Sequence, residues 1–191
     1  MKRASMLSIL LLAATPAFAH EGAGPVAGFP AGFGHPLSGL DHVAAMIAVG
    51  LWAGMKGGRA QWICPAAFVS AMMIGGALGM ARVPIPFVEP GILASVVVFG
   101  LLVAVIDGLP VSAGVAIIAV FAVLHGHAHG AEVTGAVSGT TYIAGFAVAT
   151  IFLHAIGIVA GLLLGARFHN LARLSGTACI AIGFSLIAGV L

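Results

Sequence analysis

Apolar runs of membrane-spanning length constrain this chain more than any other feature of its sequence. The hydrocarbon core of a bilayer is about 30 Å thick and takes roughly twenty apolar residues of helix to cross. Beyond an N-terminal segment, the sequence divides into six such stretches, near 36–55, 62–81, 91–107, 110–129, 140–165 and 171–191. Short links rich in Gly, Pro or charge separate them: Lys56 to Gln61, Arg82 to Pro90, Asp107 to Pro110, Gly130 to Gly139 and Ala166 to Asn170. Of 191 residues, 61% are apolar and 6% are charged, whereas a water-soluble domain carries about 25% charged residues. The predicted fold is therefore all-α: a polytopic membrane bundle of six transmembrane helices forming one domain over residues 20–191. It leaves no room for a nucleotide-binding module. The formal net charge of +2 sits in short links and offers no basic stripe to a nucleic acid.

Residues 1–19 read as a cleavable signal peptide. Lys2 and Arg3 precede an apolar run from Met6 to Ala14, and Ala17-Phe18-Ala19 supplies a small-x-small cleavage pattern. Cleavage after Ala19 would leave His20 at an exported N-terminus, where its free amine and imidazole together can capture one metal ion; the alternative is a solvated polar terminus. With that end outside, the first, third and fifth links face the cytoplasm. Lys56, Arg59 and Arg167 lie there with Arg173 just inside the last helix, against Arg82 alone on the other side. This bias agrees with the positive-inside rule. The expected location is the bacterial inner membrane, with the mature N-terminus periplasmic.

Ionisable groups inside a bilayer are costly, so those in the apolar runs are candidates for function. One cluster, His35-Pro36-Leu37-Ser38-Gly39-Leu40-Asp41-His42, opens the first predicted helix, with Pro36 suited to its first position. The other, His125-Gly126-His127-Ala128-His129-Gly130-Ala131-Glu132, closes the fourth. His125 and His129 share a helix face while His127 points elsewhere. Counting spans brings both clusters to the same exported mouth. Imidazole suits Ni, Zn, Cu and Fe, and a carboxylate adds a hard anionic ligand; four imidazoles with Asp41 make a site for a divalent cation. His42, His125 and His129 could instead serve as interhelical packing, His35 and His127 could be solvated or support the ligands from behind, Asp41 could favour a helix dipole, and Glu132 reads as part of an aqueous link. His154, near the middle of the fifth predicted helix, reads as a deeper relay ligand with Met46, Met72 or Met73 as soft neighbours, or as a histidine satisfied by a neighbouring helix. Asp107 reads as an exit marker or a plain loop boundary, and His169 as solvated. Cys64 and Cys179 lack CxxC spacing and read as small buried hydrophobes.

Small residues recur at close-packing spacing, in Gly50 with Gly54, Gly75 with Gly79, and Gly157 with Gly161 and Gly165. They serve helix packing or a homo-oligomer, and the sequence does not separate the two. Helices one to three and four to six have opposite topology, which invites an inverted repeat with a site between the halves.

Taken together, the signal peptide ending before His20-Glu21-Gly22, the His35-Pro36…Gly39-x-Asp41-His42 segment leading into Met46…Val49-Gly50-x-Trp52-Ala53, and the His125-Gly126-x-Ala128-His129-Gly130-x-Glu132 segment resemble the HupE/UreJ family over essentially the whole chain. The resemblance implies an ATP-independent permease that takes up nickel, or cobalt, for hydrogenase or urease maturation, with those maturation proteins as functional partners. It puts metal handling on His35, Asp41, His42, His125, His129 and Glu132. No prosthetic group is expected; the ion is bound transiently. Protonated imidazole cannot ligate, so uptake should weaken as pH falls through about 6.5. The competing reading is an intramembrane zinc-dependent hydrolase in which His42, His125 and His129 hold the ion and Asp41 or Glu132 acts as base.

Overall fold

The structure, a computed structural model, describes residues 28–105, 108–133 and 136–191. The signal peptide, His20 and Asp107 lie outside them. The described residues form seven α-helices: α1 (Gly28–Ser38), α2 (Leu40–Lys56), α3 (Ala60–Met80), α4 (Val88–Ala104), α5 (Val111–Glu132), α6 (Ala136–Arg167) and α7 (His169–Ile187). The all-helical membrane architecture holds, with differences in how the spans are made.

The first predicted span corresponds to α2, and a helix not expected from the sequence, α1, precedes it and is bent from it by 81°. Gly39 breaks them: its backbone is extended at φ −93° and ψ 122°, while its carbonyl already accepts from Val43 N–H at 3.0 Å to start α2. Pro36 lies inside α1 rather than opening the span. Four helices, α3, α5, α6 and α7, are each long and apolar enough to cross a membrane, and the bent α1–α2 pair makes a fifth. Helix α4 is apolar but has 17 residues, about 26 Å at 1.5 Å per residue, slightly short of the hydrocarbon core.

Helix α3 packs chiefly on α5, α2 on α6, α4 on α7, and α1 on α6. Glycines set the approach. A Cβ at Gly50 or Gly54 would overlap the backbone of α6 near Gly157 and Gly161, and one at Gly126 or Gly130 would overlap that of α3 near Met72 and Gly76. Close backbone contact of this kind is the usual basis of helix association in lipid, where hydrophobic drive is lacking. The recurrent glycines are therefore consumed by packing within one chain. Gly32 and Gly145 do the same for α1 against α6, so the long α6 carries α1 on its first half and α2 on its second. Meanwhile Ile151, Phe152, Ile156, Val159 and Leu163 of α6, with Leu174 and Phe184 of α7, stay exposed, an apolar exterior suited to lipid.

Candidate metal centre

The bend at Gly39 turns the start of α2 back under the end of α1, so that His35 and His42 approach one another with ring centroids 5.7 Å apart. Asp41 occupies the first turn of α2, where the helix dipole favours an anion. Its Oδ1 accepts from His42 Nδ1–H at 2.8 Å. Gly39 is required for this arrangement: a Cβ there would stand 2.6 Å from Asp41 Oδ1 and 3.0 Å from His42 Nδ1. With Nδ1 committed as donor, His42 turns Nε2 inward.

Helix α5 supplies the opposing ring. His129 Nε2 stands 2.7 Å from His42 Nε2. Behind it, Glu132 Oε2 lies 3.6 Å from His129 Nδ1. Glu132 thus belongs to the last turn of α5, not to an aqueous link as its sequence position suggested, because α5 continues two residues past Gly130. Asp41 holds His42 by the hydrogen bond that fixes ring orientation and raises basicity in histidine ligands, whereas Glu132 at 3.6 Å adds negative charge behind His129 without a hydrogen bond to Nδ1. His35 completes the group: one ligand atom each from His35, His42 and His129 lie within 4.8 Å of one another. Two nitrogens bound side by side to one ion at about 2.1 Å stand roughly 3 Å apart, close to the observed approach. Phe146 of α6 walls the group with its ring 4.6 Å from His129, and Asp41 and Glu132 remain partly exposed.

His125 lies one turn deeper and does not join this triad. Its ring meets His42 edge-on at 5.0 Å, and its Nε2 is 2.9 Å from Ser95 Oγ. The serine hydroxyl donates to Ile92 carbonyl at 2.6 Å, so it accepts from His125 Nε2–H. That leaves Nδ1 with a lone pair and no hydrogen-bond partner among the described residues. His127 points away, as its helical phase requires, and donates from Nε2 to Val83 carbonyl at 2.7 Å, tying α5 to the link after α3. His154 of α6 is 1% exposed, against the ring of Phe68 at 4.9 Å. Met46 and Met72 are buried, whereas Met73 is 42% exposed and faces outward.

The sequence reading missed Ser95, Phe68 and Phe146. Ser95 carried a signal, as the lone hydroxyl in the apolar run from Gly91 to Ala104; the two phenylalanines carried none in so apolar a chain.

A sequence profile described as HupE / UreJ protein matches residues 8–186. The chain belongs to the HupE/UreJ family. Its sequence is 41% identical to Protein HupE of Rhizobium leguminosarum bv. viciae over 191 residues, covering 99% of this chain and 100% of that protein. No solved structure matches. Family membership gives the chain an accessory role in nickel or cobalt transport and sets it apart from enzymes, so the hydrolase reading falls away.

Proposed function

We propose that the protein is an inner-membrane permease that takes up Ni²⁺, with Co²⁺ as the alternative cargo, from periplasm to cytoplasm without ATP. The observation that carries this reading is the pair of imidazoles of His42, held by Asp41, and His129, with Glu132 3.6 Å behind it, whose Nε2 atoms face each other at 2.7 Å. In this scheme the bent α1–α2 pair and helices α3 to α7 make six spans, the signal peptide is removed, and the histidine mouth faces the periplasm. Arg173, whose Nε donates to Ala104 carbonyl at the end of α4 at 2.7 Å, then lies on the cytoplasmic side, where the positive-inside rule expects it.

His20, His35 and Glu132 capture the hydrated ion, with His127 holding the rim. His42 and His129 replace part of its water, and His125 receives it one turn deeper. An inside-negative potential favours inward movement by roughly 2.3 kcal/mol per charge per 100 mV, or about 4.6 for a dication, so no nucleotide is required. Neutral imidazoles exchange their ion more readily than a thiolate cage, which suits passage over storage. Service to hydrogenase or urease maturation follows from the family's name.

Radiolabelled Ni²⁺ uptake at submicromolar metal tests the proposal, in cells carrying the native chain or the His42→Ala, His129→Ala pair at equal membrane insertion. Saturable uptake should vanish in the variant, and Co²⁺ and Zn²⁺ competition should rank the ions. Equal uptake in both strains and in cells without the protein would refute transport.

A further inference from the structure

His154 has no hydrogen-bond partner at either ring nitrogen among the described residues, although it is 1% exposed. A buried polar group left unpaired costs about 1–3 kcal/mol, and inside a membrane domain such a group is expected to have a purpose. Its surroundings form a small diamond where α3 and α6 cross. Phe68 of α3 meets the ring of His154 at 4.9 Å, and Thr150, one turn before His154, directs its hydroxyl to Met72 sulfur at 3.8 Å. Met72 follows Phe68 by one turn and is 2% exposed.

The packing of the whole chain makes this crossing special. Exchange α2 with α5, α3 with α6 and α4 with α7, and the pairs α2–α6 and α3–α5 change places while α4–α7 maps onto itself. The glycines that make the contacts exchange too. At one constant offset Gly50, Gly54 and Gly100 become Gly126, Gly130 and Gly176; at a second, Gly75 and Gly79 become Gly157 and Gly161. Gly50 and Gly54 lie against α6 at Gly157 and Gly161, Gly75 and Gly79 lie against α5 around Gly126 and Gly130, and Gly100 meets Gly176 itself. The second offset also carries Phe68 to Thr150 and Met72 to His154. The contact of Phe68 with His154 and that of Thr150 with Met72 are therefore one contact seen twice, on either side of an approximate twofold axis that passes through the crossing. Helix α1 stands outside the repeat, since the short link between Ala104 and Val111 has no room for a counterpart.

We propose that Met72 and His154 form a second metal station at the centre of the domain, between the two inverted halves. It rests on the uptake reading and adds a stop to it. Rings lead there from the mouth: His42 to His125 at 5.0 Å, His125 to Phe68 at 5.7 Å, and Phe68 to His154. One imidazole and one thioether, both neutral, select late transition ions such as Ni²⁺ and Co²⁺ over Mg²⁺ and Ca²⁺, which require oxygen ligands. A neutral pair also holds a dication weakly enough to release it. The mouth captures; the centre discriminates.

The test uses Met72→Leu, His154→Leu and His154→Met in the full-length protein. Leu and Met differ little in volume, so the variants separate a ligating sulfur or nitrogen from packing. Two quantities are read from each: initial ⁶³Ni²⁺ uptake into proteoliposomes, and equilibrium Ni²⁺ binding by calorimetry, which reports the mouth. Met72→Leu and His154→Leu should lower uptake by about tenfold or more, the scale on which disturbing a metal site acts, with the binding constant of the mouth unchanged. His154→Met should restore most of the uptake. Native uptake in either Leu variant, or a His154→Met protein as inactive as His154→Leu, overturns the station. Native protein that neither binds nor transports Ni²⁺ refutes the uptake reading beneath it.

Discussion

Removing the charge behind each imidazole while keeping its shape gives two different, calculable losses. In Asp41→Asn the amide oxygen can still accept from His42 Nδ1–H, so the ring stays in place and only the negative charge is lost. The charge acts on an ion at His42 Nε2 across the 2.8 Å hydrogen bond, the ring and a metal–nitrogen bond, about 7 Å in all; with an effective dielectric of about 40 for a partly exposed carboxylate, a dication loses roughly 2.4 kcal/mol. That corresponds to about fiftyfold weaker binding. Glu132 stands farther off, at 3.6 Å, and is 33% exposed; at about 8 Å and nearly the dielectric of water, Glu132→Gln costs about 1 kcal/mol, or fivefold. Calorimetric titration of Ni²⁺ into purified native, single and double variants measures both. A Glu132→Gln loss equal to or larger than that of Asp41→Asn, or no loss in either, would refute the assignment of these carboxylates as supports of the metal-facing rings.

Three other outcomes follow from particular contacts. Gly39→Ala places a methyl group on the Asp41–His42 hydrogen bond, so Ni²⁺ affinity should fall by about tenfold while helix content by circular dichroism is unchanged. His127→Asn removes a tether to Val83 carbonyl and should lower thermal stability by about 1 kcal/mol, leaving Ni²⁺ affinity in calorimetry near native. Gly126→Ala drives a methyl into the α3 backbone at Met72 and Gly76 and should cost about 3 kcal/mol or more, read as loss of the monodisperse peak in size-exclusion chromatography.

The helical bundle and both histidine clusters were legible because their signals are local and of high contrast: long apolar runs and ionisable groups within them. What escaped were features decided by tertiary contact. Helix α1 contains three glycines and two prolines in 11 residues, a composition that propensity assigns to a loop; it is helical because Gly32 and Gly145 let it lie directly on α6. The position of His35 over His42 and His129 depends on that helix and on the bend after it, so the third member of the triad was named without its geometry. The i,i+4 phase of His125 and His129 was right, yet the two rings serve different levels, since His42 inserts between them and Ser95 holds the deeper one. The inverted repeat was barely visible because the glycines match between halves while the chemistry does not.

That mismatch has a functional consequence. The exchange of halves carries His42 to Ile118, His125 to Val49 and His129 to Ala53, and these three apolar residues are each fully buried. The equivalent places in the other half therefore share the backbone frame but offer no nitrogen ligands. In the proposed uptake, an ion would be gripped at one face and released at the other, a direction in affinity set on a near-symmetric scaffold. Loss of several imidazole ligands removes far more than the 1.4 kcal/mol that a tenfold change represents, so half-saturation for Ni²⁺ should be at least about tenfold lower at the histidine face than at the opposite face. Initial uptake into right-side-out and inside-out vesicles, compared at matched voltage, measures the ratio. Equal half-saturation from both faces would mean that the histidine cluster does not set the affinity of the outward-open state, and the assignment of the mouth would have to be abandoned.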